Sequence, residues 1–221
     1  MSMLFMHNFQ TFIFDCDGVI LDSNSLKIEA MRYALVDAVG NTDIVDVCVD
    51  YFKRNFGKSR FHHVDFFAEK ILDISIKDRD VFKARILEHY STSCKELYLT
   101  ANITPGFLEM LKKIKGVKYV ASGSEQEELR WVFTQRKLDC HFSAIYGSPT
   151  AKVDIVKKIV ALSAMPTTCL MFGDAISDVN AAITSGIHFV GYLPYSNVKQ
   201  EMVTMCNERK FPVLDNWELL N

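Results

Sequence analysis

Apolar positions along the chain follow two rhythms. Phe12, Ile13 and Phe14 are consecutive, as in a strand of a parallel sheet covered on both faces, and predict a strand over 11–14. After Asp22 and Ser23 the spacing becomes helical: Leu26, Ala30, Met31, Ala34, Leu35 and Ala38 share a face, and Gly40 marks the stop. Further helical segments are predicted at about 43–56, 60–72 and 78–97, and no strand pattern interrupts 24–97. From Pro105 the rhythm alternates. A helix carrying Leu108, Leu111 and Ile114 precedes a strand at 117–121, then a helix at about 125–136 and a short strand at 142–147. A helix with Val156, Ile159 and Val160 leads to a strand at 168–172, a helix at about 176–185, a strand at 188–192 and a short strand near FPVL. Strands alternating with helices predict an α/β fold, a doubly wound parallel sheet, interrupted after its first strand by an all-helical block. The predicted division is 1–22 with 98–221 for the sheet domain and 23–97 for the helical one. No repeat or Pro/Gly-rich linker separates them, so short hinges are expected.

Composition narrows the function classes. At 221 residues and 49% hydrophobic the chain can bury a full core. Its 25 basic and 27 acidic residues give a net charge of −2, which suggests neither a nucleic-acid-binding surface nor a disordered acidic tail. The six cysteines are scattered without a Cys-x-x-Cys or zinc spacing, so buried, reduced thiols in a cytoplasmic protein are expected. The start, MSMLFMHNFQ, has no basic region followed by a long apolar centre, hence no signal peptide is expected. No apolar run approaches the ~18 residues that span a bilayer, so neither a membrane nor a nucleic acid is expected as partner.

The predicted strand ends carry the chemistry. In open α/β sheets, ligands bind beyond the carboxyl ends of the strands. There lie Asp15 and Asp17; Ser122 in ASGS; Lys152 in GSPTAK, opening a helix; and Asp174 and Asp178 in GDAISD. Four carboxylates cannot share one cleft without cations. One lysine supplies one positive charge, and a divalent metal supplies two. Oxygen ligands alone suit magnesium rather than zinc. Each signal also has an ordinary reading. The Asp15/Asp17 pair could sit in a calcium loop, but its glycine is in the wrong position for an EF-hand. Ser122 could be a turn residue. Lys152 could be a solvated lysine, although a helix start is a poor place for a cation. Asp174 and Asp178 could cap a helix, and one of them could do both jobs.

Together these residues resemble the haloacid dehalogenase superfamily of phosphohydrolases. All four of that family's motifs are present in order: DCDGVI, the serine of ASGS, Lys152 and GDAISD. The helical block is similar to that family's α-helical cap, over a Rossmann-like core. The resemblance implies that Asp15 is the nucleophile, forming an aspartyl-phosphate, and that Asp17 acts as general acid and then base. It implies magnesium held by Asp15, the carbonyl of Asp17 and Asp174, with Asp178 nearby or bridging through water. Ser122 and Lys152 would stabilise the phosphoryl group, with Gly18 turning the chain behind the carboxylates and Gly123 and Ser124 lining the substrate.

Within the family the chain looks like the phosphoglycolate phosphatase and β-phosphoglucomutase branch. GKSR, 57–60, resembles the cap loop that contacts the substrate's far end there, which makes Lys58 and Arg60 candidate substrate residues. Arg60 either forks onto a carboxylate, second phosphate or sugar hydroxyls, or pairs with a cap acid such as Asp65. His62 and His63 read as surface or packing residues, and Phe52, Phe56, Phe61, Phe66 and Phe67 as cap core. Three departures bear on the reaction. Lys27 stands where the branch usually has histidine, either near Asp17 or facing solvent. Glu125-Gln126 replace the mutases' Lys-Asn, and Gly173-Asp174 replace their Glu-Asp. The expected function is magnesium-dependent hydrolysis of a small phosphorylated metabolite, a sugar phosphate or phosphoglycolate-like ester, by a monomer or homodimer. A phosphomutase and a non-enzymatic binding protein are the alternatives.

Overall fold

The computed structural model describes residues 6–220. Strand β1, Thr11–Phe14, is buried along its whole length. The helical insertion follows as α1 (Asn24–Val39), α2 (Thr42–Arg54), α3 (Arg60–Phe66) and α4 (Arg79–Thr100). After α3 the chain widens into a π-helical turn, Phe67–Ile71, where the sequence predicts one continuous helix over 60–72. The alternating part comprises α5 (Phe107–Lys113), β2 (Val117–Glu125), α6 (Gln126–Gln135), β3 (Ala144–Ser148), α7 (Lys152–Ala161), β4 (Cys169–Gly173), α8 (Ile176–Ser185), β5 (His188–Tyr192), α9 (Lys199–Arg209) and β6 (Val213–Leu214). Two elements depart from expectation. Strand β2 runs four residues past Ala121, so Ser122–Ser124 belong to the strand rather than to a loop beyond it. Helix α9 is absent from the sequence reading: only Met202 and Cys206 are buried on it, too thin a stripe to register.

All strand pairs are parallel, in the order β3-β2-β1-β4-β5-β6. Sequence order runs outward from β1 in both directions. The crossovers therefore diverge at β1, and the crevice this opens lies at the carboxyl ends of β1 and β4. Phe14 pairs with Val120 on one side and Phe172 on the other. Its ring stacks on Phe172 at 5.1 Å and meets Phe107 edge-on at 5.4 Å.

The insertion leaves and rejoins the sheet domain through a short paired ribbon. Leu21 bridges Ile103 in antiparallel fashion, with Asp22 N–H donating to Asn102 O at 2.8 Å and Thr104 N–H to Ile20 O at 2.9 Å. One apolar cluster runs from Phe14 and Trp217 of the sheet domain into Val45, Phe67 and Ile86 of the insertion. Among the described residues all six cysteines are free thiols, Cys140 alone exposed, and no helix is long and apolar enough to cross a membrane.

Candidate active site

Three carboxylates converge at the β1/β4 crevice. Asp15 continues β1, its N–H donating to Phe172 O at 2.9 Å. Asp174 follows β4. Asp178 lies in the first turn of α8, where its Oδ2 accepts from the N–H groups of Asp174 (3.2 Å) and Ala175 (3.0 Å). Asp178 thus both satisfies the helix start and faces the crevice. Each of the three offers an oxygen within 4.8 Å of the others, and all three side chains are buried. Lys152, the first residue of α7, reaches Asp15 Oδ1 at 3.0 Å and Asp178 Oδ1 at 2.5 Å. Those carboxylates outweigh the unfavourable helix start. Gly18, at φ +73°, turns the chain behind Asp17, and a Cβ there would lie 2.2 Å from Asp174 Oδ2.

The charge is unbalanced. Burial pushes the Asp15 carboxyl up to about 7; Asp178 adds to this and Lys152 offsets part of it. Burial, with Asp15 and Asp178 adding, also raises Asp174 well above the usual carboxylate range. Asp174 Oδ1 is buried without a hydrogen-bond partner. Three buried carboxylates against one lysine, all oxygen donors, with one oxygen orphaned, fit a hard divalent cation such as Mg²⁺.

Asp17 stands apart from this cluster in a hydrogen-bonded cage. Its carboxylate accepts from Lys27 Nζ (2.8 Å), Ser23 Oγ (2.6 Å), Tyr98 Oη (2.9 Å) and Ser124 Oγ (2.9 Å). Burial alone would raise its pKa, but Lys27 and these hydroxyls hold it below the usual carboxylate range. Lys27 is itself buried beside the Phe56 and Tyr98 rings, which corrects the solvent-facing alternative. Ser122, fully buried, accepts at Oγ from Ser124 N–H at 3.1 Å. Pairing of β2 with β3 shifts register between Ala121 and Glu125, and this irregularity re-aims the segment carrying Ser122, Gly123 and Ser124.

The insertion closes over this edge. The backbone around Gly57 lies directly on Gly123, where a Cβ would be 2.3 Å from Gly57 O. Ser177 Oγ donates to Phe56 O at 3.2 Å. Arg60 grips Glu128 of α6 with both arms, Nη2 to Oε1 at 2.7 Å and Nη1 to Oε2 at 3.1 Å, and Ser91 hydroxyl joins them. Arg60 therefore neither pairs with Asp65, which binds Lys83 at 2.9 Å, nor has a free fork for substrate in this arrangement. Lys58 is exposed, donating to Asn55 Oδ1 at 3.0 Å. His62 is exposed too, whereas His63 packs buried against Phe52, and burial drops its pKa to about 3. Of the aromatic run, Phe52, Phe56 and Phe67 are buried while Phe61 remains 38% exposed.

Little space remains around Asp17 beneath the insertion. A cavity of about 10 Å³ is lined by Asp17, Lys27, Arg60, His63, Tyr90 and Ser124, room for about one water. An open groove of about 350 Å³ adjoins it, between Lys58, Ser59 and His62 of the insertion and Thr150, Lys152 and Asn180 of the sheet domain.

Sequence reasoning missed Ser23, Asn24, Tyr98 and Glu128. They carry no motif, and only the packing of α1, α4 and α6 against the sheet edge brings them in.

A family model described as haloacid dehalogenase-like hydrolase matches residues 9–186. No curated protein matches the chain. Among solved structures, a haloacid dehalogenase-like family hydrolase from Streptococcus pneumoniae is similar with a TM-score of 0.72 at 14% identity, covering 96% of this chain and 97% of that one. A protein described as a predicted phosphoglycolate phosphatase from Haemophilus somnus gives 0.73 at 15% identity over 95% of each chain. A hydrolase from Pseudomonas syringae gives 0.70 at 20% identity, covering 95% and 94%. At such identities the likeness carries the fold.

Proposed function

This chain belongs to the haloacid dehalogenase-like hydrolases, and from that premise we propose that it is a magnesium-dependent phosphatase acting on a small phosphorylated metabolite. One observation carries the reading: buried Asp15 is held between Lys152 and the Asp174/Asp178 pair, and buried Asp17 stands two residues on. The similarity to a structure described as a predicted phosphoglycolate phosphatase supports the same assignment.

Asp15 is the nucleophile. Its carboxylate oxygen attacks phosphorus, the ester oxygen departs with its electron pair, and an aspartyl-phosphate is left. Lys152 Nζ, against Asp15 Oδ1, offsets charge on the carboxylate and on the phosphoryl oxygens. The Ser122 hydroxyl donates to a phosphoryl oxygen. Asp17 gives a proton to the leaving oxygen and then takes one from the water that hydrolyses the intermediate. Held ionised by Lys27, Asp17 is ready for the second role; for the first it must share or surrender that contact. Asp15, Asp174, the Asp17 carbonyl and, more remotely, Asp178 would hold Mg²⁺. Bound there, it supplies the positive charge that lets two anions approach.

The ~10 Å³ cavity admits no leaving group, so the insertion acts as a cap that lifts for substrate and closes to exclude water. Lys58, on the rim of the 350 Å³ groove that reaches Lys152, is the cation placed to meet an incoming ester. Sugar phosphates and phosphoglycolate-like monoesters are the proposed class.

The test is release of inorganic phosphate from a panel of sugar phosphates, phosphoglycolate and nucleoside monophosphates, with Mg²⁺ and with EDTA, and with Asp15→Asn as control. Mg²⁺-dependent release confined to a few compounds and abolished in Asp15→Asn is expected. Isomerised sugar phosphate without free phosphate would replace hydrolysis by transfer, and activity surviving in Asp15→Asn would remove the nucleophile assignment.

A further inference from the structure

We propose that Asn24 is a positioning residue of the metal site, linking the bound cation to the placement of the helical insertion. The inference rests on the magnesium reading above and extends it to a residue outside the motifs. Asn24 is the first residue of α1 and only 3% exposed. Its amide nitrogen has two protons and two acceptors: Asp174 Oδ2 at 2.6 Å and Tyr195 O at 2.8 Å. Two acceptors on one atom fix which end of the amide is nitrogen. Asn24 thus occupies one oxygen of Asp174 and leaves the other, the orphaned Oδ1, as the atom available to a cation. Ser196 Oγ secures the same residue from behind, donating to Asp174 O at 2.6 Å.

The carbonyl end of Asn24 is a second observation. Its Oδ1 is buried and has no partner. A buried acceptor left unmade is expensive, and a water carried by a hydrated magnesium ion would satisfy it, since Mg²⁺ keeps several waters when bound. Two orphaned oxygens, Asn24 Oδ1 and Asp174 Oδ1, belong to side chains joined by a 2.6 Å hydrogen bond. One hydrated cation bound at Asp174 would meet both deficits.

The placement of Asn24 gives the link its consequence. Asp174 belongs to the sheet domain, and Asn24 opens the insertion directly after the Leu21–Ile103 ribbon. Lys27, one turn on, grips Asp17. The first turn of α1 therefore holds a ligand of the cation with one residue and the acid–base carboxylate with another. A cation that fixes Asp174 also fixes the start of α1, and a cap position that draws Asn24 away loosens Asp174. By linkage the two effects are equal.

Isothermal titration calorimetry with Mg²⁺ on the full chain tests the first part. Asn24→Ala, and Asn24→Leu which keeps the volume, are each expected to raise the Mg²⁺ Kd about 10-fold or more, the usual effect of removing a hydrogen-bond partner of a metal ligand. Amide hydrogen exchange on the unmutated protein tests the second part. Mg²⁺ is expected to slow exchange in peptides spanning 21–30, which contain the Lys27 N–H bonded to Ser23 O at 2.9 Å. A Kd within twofold of wild type in both variants, or exchange over 21–30 unaffected by saturating Mg²⁺, overturns the inference while leaving the phosphatase reading intact. A wild-type protein that takes up no Mg²⁺ overturns the magnesium reading and this inference together.

Discussion

Removing the negative partner of Arg60 probes the closed arrangement directly. The Arg60 and Glu128 side chains are 5% and 2% exposed, and their two-armed contact joins the insertion to α6. Glu128→Gln leaves a buried guanidinium against a neutral amide. Taking one partner from a buried ion pair costs about 3–5 kcal/mol if the survivor stays buried. Arg60 has an escape, because lifting the insertion brings it into water. Other ties between the two parts, Lys27 and Tyr98 to Asp17 and Asn24 to Asp174 and Tyr195 O, belong to the first turn of α1 and the last turn of α4, next to the ribbon. Close to α3 stands the bond from Ser177 to Phe56 O, and a neutral hydrogen bond contributes only about 1 kcal/mol. The loss should therefore fall on closure rather than on the fold. About 3 kcal/mol corresponds to roughly a 10²-fold shift toward the open form. Hydrogen exchange of α3 amides, read against global unfolding in urea, measures this without any substrate. Arg60→Met and Glu128→Gln should each speed α3 exchange about 10²-fold, and the double variant should be little worse than either alone. Additivity of the single effects to within about 0.5 kcal/mol, or unchanged α3 exchange, would show that the pair does not hold the insertion down. Because the Arg60 fork is filled from within the chain, Arg60→Ala should change kcat and KM together rather than KM alone.

Other outcomes follow from the same geometry. Lys27→Met removes the charge that holds Asp17 ionised, leaving burial to raise its pKa; the alkaline limb of the pH–rate profile, set by protonated Asp17, should move to higher pH, and an unmoved limb would deny the contact a role. Metal-free protein should lose stability as pH rises from about 4 to about 7. Asp15 is raised to about 7 in the fold, so the stability it contributes is complete below the unfolded value and lost through the folded one, on the order of 4 kcal/mol. Thermal melts at pH 5 and pH 8 should differ in EDTA and converge with Mg²⁺, and parallel slopes in both media would contradict this. Gly123→Ala places a methyl carbon 2.3 Å from Gly57 O, and the displaced loop should lower kcat/KM by about 10²-fold with little change in melting temperature. Unaltered kinetics would mean the insertion does not close there during turnover.

The architecture and the motif positions were legible in the chain for one reason: they depend on local pattern. Consecutive apolar residues at 12–14 and 169–172 mark strands buried on both faces, and Asp15 and Asp174 fall where those strands stop. What escaped depends on contacts between distant elements. Helical spacing places Glu128 and Arg60 on faces, but cannot say that the two faces meet across 68 residues. Lys27 read equally as a surface or a site residue until α1 packed its first turn on Asp17. Asp65 looked a natural partner for Arg60 because both lie on α3; the register of α4 gives Asp65 to Lys83 instead. Helix α9 lacked an apolar stripe wide enough to announce itself: Met202 and Cys206 alone are buried on it, with Val198 before it and Val203 and Met205 partly buried against the same cluster. The extension of β2 through Ser122 was hidden by its small residues, which read as turn formers.

The position of β1 at the centre of the sheet sets a schedule for biosynthesis. Its neighbours, beginning at Val117 and Cys169, are translated about 100 and about 160 residues later. At roughly 5–20 residues per second, β1 waits about 5–20 s for its first partner and longer for its second. During that wait the folded company available is the four-helix insertion, whose last helix ends at Thr100, before β2 is made. The nascent chain therefore builds the cover before it builds the crevice. A chaperone or a slowed codon stretch acting before residue 117 would find Phe12, Ile13 and Phe14 still unpaired, and this window is when the chain is most exposed to wrong partners.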